Sequence, residues 1–246
     1  ALMTSVVEMP NKVAEYISVC RQMGIQILPP DINHGMYGFS VDNGAIRYAL
    51  SAIKSIGRPV IEGIVREREE HGEYTSLKTF VERNIDQINK RVVENLIKAG
   101  ALDCLEGNRK QKMTIYTQII DSINQDKKHT MAGQLSLFDI ASEEDKKEFE
   151  IRMPQVEEYP KEIILTFEKE VLGIYLSGHP LERYRNMMEK MISAKTSDFQ
   201  PDDETGIPEV YDNQKVIVGG MITDKTIKYT KNNKVMAFLT VEDLVG

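Results

Sequence analysis

Short stretches with helical periodicity, joined by tight connections that contain glycine, occupy residues 46–128 and constrain the fold more than any other feature. A stretch over residues 48–55 leads into Ile56-Gly57-Arg58. Pro59 then suits the first position of a helix, where its missing N–H is no loss. Apolar residues spaced three and four apart give this helix one buried face, formed by Val60, Ile61, Ile64 and Val65. The pattern predicts paired helices with short connections.

A second set of helices is predicted after residue 88. Asn89 suits the N-cap of a helix that Gly100 ends, and Asn108 suits the N-cap of the next one. The apolar faces of these two helices are Val92, Val93, Leu96 and Ile97, then Met113, Tyr116, Ile120 and Ile123.

The turn at Ile56-Gly57-Arg58-Pro59 predicts a helix-hairpin-helix, a unit whose turn places backbone N–H groups against a DNA phosphate. Gly57 would permit an unusual backbone angle, and basic side chains add charge. One glycine between helices is more often an ordinary corner, but a second unit over residues 98–110 favours a tandem pair. The predicted DNA-binding residues are Lys54, Ser55, Gly57, Arg58, Lys98, Gly100, Asn108, Arg109 and Lys110.

The residues before this region predict a smaller mixed structure. Residues 11–23 predict a helix with Asn11 as its N-cap, which Gly24 ends, and residues 25–28 predict a short strand or an extended link. Asp42-Asn43-Gly44 separates two further apolar stretches. It predicts a β-hairpin, because Asn-Gly favours the positive φ angles of a tight turn.

Residues 133–138 form a compact apolar segment within polar surroundings. The segment holds Gln134, Leu135, Ser136, Leu137 and Phe138, and 11 acidic against 5 basic residues follow between residues 139 and 170. A glutamine amide followed by large apolar side chains suits a docking peptide. Leu135 and Phe138 could equally line one helical turn on the chain's own core, and the residue types alone favour neither.

The last part of the chain changes from helical to β periodicity. Residues 163–175 predict a helix, and His179 before Pro180 indicates a structural or capping residue instead of a catalytic one. Apolar residues at alternating positions predict strands around a turn near residue 232: Val216, Val218, Met236 and Phe238. Basic and aromatic side chains near that turn suit single-stranded nucleic acid, although a solvated hairpin tip is the default: Lys225, Lys228, Tyr229, Lys231, Lys234 and Phe238.

The length, cysteine content and charge of the chain limit the classes of protein to which it can belong. The 246 residues can form one large or two modest domains, and no apolar run is long enough to cross a bilayer. Cys20 and Cys104 lack partners at metal-ligand spacing, which predicts free thiols and no metal site. The net charge of −7 disguises a basic segment, since residues 47–128 carry 15 Lys and Arg against 12 Asp and Glu. We expect a cytoplasmic protein that contacts no membrane.

These segments together resemble the alpha subunit of bacterial DNA polymerase III, the C-family replicative polymerase. The resemblance includes residues 20–33, the two helical units, the docking segment, the stretch from Glu170 to Leu181, and the run from Met236 to Leu244. It implies a multi-domain α+β chain, mostly helical at first with a tandem helix-hairpin-helix, then the start of a β-barrel OB fold. The implied domains are the end of fingers (1–45), the helix-hairpin-helix pair (46–128), a linker with the docking peptide (129–162), a helical connector (163–209) and a truncated OB fold (210–246).

The resemblance also implies the function and its partners. It suggests a non-catalytic part of a DNA-directed DNA polymerase, with no catalytic residue and no cofactor in these residues and with magnesium bound in the parent's catalytic domain. The implied partners are duplex primer-template DNA, single-stranded template, the bacterial sliding clamp through Gln134 to Phe138, and other replisome subunits. Arg58-Pro59 stands where the turn of a helix-hairpin-helix commonly has a second glycine, which leaves fewer donors for a phosphate. The second unit is therefore expected to make more of the contact with DNA.

Two other functions remain open at this stage. A non-enzymatic scaffold or repair accessory protein could use the same modules. A nuclease could use the acidic loops around residues 143–145 and 202–204, although runs of charge in loops are usually just solvated.

Overall fold

The computed structural model describes residues 2–131, 151–201, 205–230 and 232–244. It opens with helices α1 (Leu2–Ser5) and α2 (Pro10–Gln22). The prediction of Asn11 as N-cap is wrong, because α2 begins at Pro10, whose fixed φ suits the first helical turn, and Met9 stands at the cap without a side-chain bond. Gly24 follows the helix with φ 75°.

A small sheet follows α2. It consists of β1 (Ile27–Leu28), β2 (Ser40–Asp42) and β3 (Ala45–Arg47), in the order β1-β3-β2. The predicted hairpin is confirmed: β2 and β3 pair antiparallel around Asn43 and Gly44, whose φ angles of 50° and 84° are those of a tight hairpin turn.

The helical region contains α3 (Arg58–His71), α4 (Leu77–Asn84), α5 (Lys90–Ala99) and α6 (Arg109–Met131). The helix predicted over residues 48–55 is wrong, since only a 3-10 turn, Leu50–Ala52, forms there. Helix α4 was not predicted, although Ser76 caps it by accepting a bond of 3.1 Å from the Thr79 N–H. The apolar faces of these helices form one core, in which Phe80, Val93 and Leu96 are almost fully buried.

The caps predicted around α5 and α6 are confirmed. Asn89 accepts a bond of 3.0 Å from the Val92 N–H, and Gly100 ends α5 with φ 79°. The Asn108 side chain accepts from the Gln111 N–H at 2.8 Å, and the Gln111 side chain accepts from the Asn108 N–H at 2.8 Å. This reciprocal pair has the form of a capping box.

Helices α7 (Lys161–Leu172) and α8 (Arg185–Met191) precede an antiparallel hairpin of β4 (Met221–Tyr229) and β5 (Val235–Glu242). Helix α7 begins two residues before the predicted start and ends three residues before the predicted end, because Gly173 ends it with φ 80°. Val216 and Val218 lie in extended chain outside any strand. The chain is thus mostly helical with small sheets, and two strands alone leave the OB fold a prediction. Within the described residues no helix has both the length and the hydropathy of a membrane span.

Candidate nucleic-acid interface

The first hairpin owes its shape to Ser55 instead of Gly57. Ser55 has φ 65°, whereas Gly57 has φ −73° and ψ 153°, which any residue adopts. The predicted unusual backbone angle at Gly57 is therefore wrong, because the chain turns two residues earlier. What Gly57 does provide is open space, since a Cβ built on it would meet only Pro59 Cδ, at 3.7 Å.

The turn presents unused backbone donors. The N–H groups of Ile56, Gly57 and Arg58 donate to no described residue. Gly57 is the N-cap of α3, so these donors lie at the positive end of a helix with no acidic residue in its first turn. Successive free N–H groups at a helix start are suited to binding a phosphate.

Two basic side chains flank these donors. Arg58 is exposed, lies 4.9 Å from the centroid of the Tyr37 ring, and donates to Glu62 at 2.7 Å, which raises the pKa of its guanidinium. Lys54 is exposed and donates to the Glu170 carbonyl at 2.9 Å. Its own backbone carbonyl accepts from Asn95 at 2.7 Å, which fixes the hairpin on α5.

A polar cleft of about 500 Å³ lies between this hairpin and the start of α5. Its lining includes basic and acidic side chains together: Lys54, Lys90, Arg91, Glu94 and Glu170. Lys90 pairs with Asp121 at 2.7 Å, whereas exposed Arg91 has no ion pair among the described residues. Sequence reasoning missed Lys90 and Arg91, although their place directly after the Asn89 cap marks them as first-turn residues of a helix.

The second unit is arranged differently from the first. Arg109 is only 7% exposed, and its guanidinium donates to Asp103 at 2.8 Å and to the Lys98 carbonyl at 3.2 Å. It also lies 3.8 Å from buried Glu168 on α7. Gly100 is buried against the same guanidinium, which occupies the place of a Cβ. Arg109 and Gly100 therefore serve the chain's own packing, and their contact with DNA stays a prediction.

Lys98 is similarly engaged. Its side chain is 12% exposed and pairs with Glu94 at 2.9 Å and with Glu170 at 2.8 Å. These bonds raise the pKa of Lys98, although its burial alone would lower it. Lys98 and Arg109 are thus paired within the fold, and the expectation that the second unit makes more of the DNA contact stays a prediction.

A carboxylate from outside the unit occupies the start of α6. Glu158 accepts bonds from the N–H groups of Arg109 at 2.8 Å and Lys110 at 3.1 Å. Burial alone would raise the pKa of Glu158, but these bonds and one from the Tyr159 N–H outweigh it and hold the pKa below its usual value. Asn108 uses its remaining amide to donate to the Val156 carbonyl at 2.9 Å.

The β4–β5 hairpin divides the predicted single-strand residues between two faces. Thr226 pairs with Phe238 and Lys228 with Met236, so Lys228 and Phe238 share a face, with the ammonium 5.3 Å from the ring. Lys225 and Tyr229 alternate onto the opposite face. The contact of these residues with single-stranded nucleic acid stays a prediction. Lys234 follows the turn, and Lys231 lies outside the described residues.

The docking segment belongs to the part of the chain between the two described ranges 2–131 and 151–201. Gln134, Leu135, Ser136, Leu137 and Phe138 all lie outside the described residues, so their docking role stays a prediction. Both cysteines are free, as predicted. His179 accepts from the Leu181 N–H at 3.1 Å, which confirms its structural role, and burial lowers its pKa.

One group of side chains has metal-ligand spacing within the described part of the chain. Glu67, Glu70 and His71 offer ligand atoms within 4.8 Å of one another. Glu67 already pairs with Arg83 at 3.0 Å and with His71 at 3.1 Å, and such surface groups are common without an ion. The prediction that these residues hold no cofactor stays a prediction.

Comparison with known proteins supports the hairpin assignment. A family model described as a helix-hairpin-helix motif matches residues 24–112. The whole chain is 34% identical to DNA polymerase III subunit alpha of Vibrio cholerae and 30% identical to that of Escherichia coli K12. The resemblance to the DNA polymerase III alpha subunit is confirmed. The subunit of Borreliella burgdorferi matches the whole chain at 33% identity.

The match covers a minor part of each alpha subunit. The chain spans 21% of the length of the Vibrio cholerae, Borreliella burgdorferi and Escherichia coli alpha subunits. The helix-hairpin-helix match ends at residue 112, so it includes both helical units and excludes α7 and the β4–β5 hairpin.

Proposed function

We propose that this chain is a non-catalytic, DNA-binding part of a DNA-directed DNA polymerase of chromosomal replication. The observation that carries the proposal is its similarity, over its whole length, to DNA polymerase III alpha subunits. Polymerisation and its magnesium belong, on this proposal, to parts of the polymerase beyond these 246 residues.

The first hairpin is the proposed contact with the duplex. Three free N–H groups at the start of α3 can bind one phosphate, and Arg58, Lys54 and Arg91 supply positive charge around it. These groups touch backbone phosphates alone, so they hold DNA without reading its sequence. Binding of this kind suits a polymerase, which must hold any sequence.

Binding of a primed duplex, followed by fluorescence anisotropy, tests this proposal. Affinity should fall steeply as salt rises and should not depend on sequence. Arg58→Ala should weaken binding by about tenfold and reduce the salt dependence by about one phosphate contact. A flat salt response would remove the DNA-binding role.

Lys78→Ala is the matched control for Arg58→Ala. Both cations are exposed and both pair with a glutamate four residues later, Arg58 with Glu62 at 2.7 Å and Lys78 with Glu82 at 3.7 Å. Each variant removes one positive charge from a helix surface. We expect Lys78→Ala to change the affinity by less than about twofold, and equal losses would mean that net charge, and not the hairpin, binds DNA.

Two further contacts are proposed on sequence grounds. Gln134 to Phe138 would dock on a sliding clamp, and replacing Gln134, Leu137 and Phe138 with alanine should abolish clamp binding in a titration without changing helicity. Lys228 and Phe238 would contact single-stranded template. Phe238→Ala should weaken binding of an oligothymidine more than Tyr229→Ala, because Tyr229 lies on the other face of the hairpin.

A further inference from the structure

Residues 151–159, which we call the latch, lie along the start of α6. Ile151 and Met153 pack against the core, and the Pro154 carbonyl accepts from the Gln111 side chain at 2.7 Å. The Val156 carbonyl accepts from Asn108 at 2.9 Å. The latch is therefore held by apolar packing at one end and by hydrogen bonds along its length.

Glu158 is the ionic anchor of the latch. One carboxylate oxygen accepts from the Arg109 N–H and the other from the Lys110 N–H. Those are the backbone donors that a second DNA-binding hairpin would offer to a phosphate, and the helix-hairpin-helix match includes both residues. An anion of the chain itself thus lies where the second unit would hold an anion of DNA.

The side chains around Glu158 fit the same interpretation. The Lys110 ammonium lies 5.8 Å from the centroid of the Tyr159 ring and has no carboxylate partner among the described residues. Tyr159 in turn packs edge-on against Phe167 of α7, with the ring centroids 5.1 Å apart. Displacing the latch would free two N–H groups next to one unpaired ammonium.

We propose that the latch is an autoinhibitory contact: Glu158 and a DNA phosphate compete for the start of α6, so the second unit grips DNA only when the latch opens. The inference rests on the proposed function, because it concerns the same duplex DNA. It also explains why the start of α3 presents free N–H groups while the start of α6 does not. Opening the latch would add a second contact beside the first, and two linked contacts bind more tightly than one.

Glu158→Gln tests the proposal, with Glu157→Gln as the matched control. The two residues are adjacent and each variant removes one negative charge, but no contact to the start of α6 involves the Glu157 side chain among the described residues. Amide hydrogen exchange at Arg109 and Lys110 reports latch opening, and anisotropy with primed duplex reports DNA affinity. Met153→Ala is a second variant, which loosens the apolar end of the latch and leaves the net charge unchanged.

We expect Glu158→Gln to speed exchange at Arg109 and Lys110 by about tenfold. It should also tighten DNA binding about threefold beyond Glu157→Gln and steepen the salt dependence by about one phosphate contact. Met153→Ala should act in the same direction. A variant that opens the latch yet binds DNA as Glu157→Gln does would overturn the competition, and unchanged exchange would overturn Glu158 as the anchor.

The same experiment separates this inference from the proposed function. If the wild-type protein and Glu157→Gln bind DNA with steep salt dependence and Glu158→Gln binds no better, the latch proposal fails and the proposed function stands. If none of the four proteins binds DNA, both fail. If opening the latch converts a weak binder into a salt-dependent one, both are supported.

Discussion

Replacing Gly57 with alanine should stabilise the protein and weaken its grip on DNA. Alanine adopts φ −73° and ψ 153° freely, and its Cβ would lie at an ordinary contact distance of 3.7 Å from Pro59 Cδ. Alanine also restricts the unfolded chain more than glycine does, which at a compatible site is worth about 0.4–1 kcal/mol. We therefore expect the free energy of unfolding to rise by roughly 0.5 kcal/mol.

Urea denaturation followed by circular dichroism measures this change. With a denaturant dependence of about 2 kcal/mol per molar, the midpoint should rise by about 0.25 M. Duplex affinity should fall about tenfold, because the new methyl group lies beside the free N–H groups of Gly57 and Arg58.

Ser55→Gly is the companion variant to Gly57→Ala. Glycine adopts the positive φ of 65° at this position without strain. After the added entropy of the unfolded chain is subtracted, the free energy of unfolding should rise by about 0.5 kcal/mol. The variant places no new group near a phosphate. It serves as a comparison of stability alone, because Ser55 is itself a predicted DNA-binding residue. A loss of 1 kcal/mol or more in Gly57→Ala would refute the assigned backbone angle, and unchanged DNA binding in that variant would refute the hairpin contact.

Three further predictions concern stability. Gly100→Ala should lower the free energy of unfolding, measured by urea denaturation, by about 2 kcal/mol. Gly100 has φ 79°, and the Arg109 guanidinium fills the space that an alanine Cβ would need. Arg109→Met should cost about 3 kcal/mol in the same assay, since it leaves buried Glu168 without its cation. The pKa values of Asp42 and Glu158 lie below their usual values, so each carboxylate stabilises the fold above the ordinary carboxyl range. Urea midpoints should therefore fall as pH drops from about 5 towards 3, and less so in Glu158→Gln.

Local chemistry explains what the sequence predicted well. Asn89, Asn108 and Gly100 act on groups within three or four residues, so their roles as caps follow from residue type and position. The Asn43-Gly44 turn is equally local. Spacing alone also identified the buried face of α3, where Ile61 and Ile64 are nearly inaccessible.

The failures arise where distant segments meet. From the sequence, Arg109 is a basic residue at the start of a helix. In the fold its backbone N–H donates to Glu158 and its guanidinium lies beside Glu168, although both carboxylates are 49 or more positions away in the sequence. Neither carboxylate has a periodicity that reveals its partner. The positive φ at Ser55 is missed for another reason. Serine seldom adopts a positive φ, so the sequence analysis assigned the unusual backbone angle to the nearby Gly57.

Helix α7, which lies at the end of the predicted linker (129–162), is bound to the helical region formed by α3 to α6. The Glu170 carbonyl receives Lys54 of the first unit, the Glu170 carboxylate receives Lys98 of the second, and α6 supplies the other attachment at residue 131. The chain joins this helical region on both sides of residues 132–150, so a partner that pulled on that segment would load α6 and α7 together. A single proteolytic cut in that segment should leave two fragments that stay together on a sizing column.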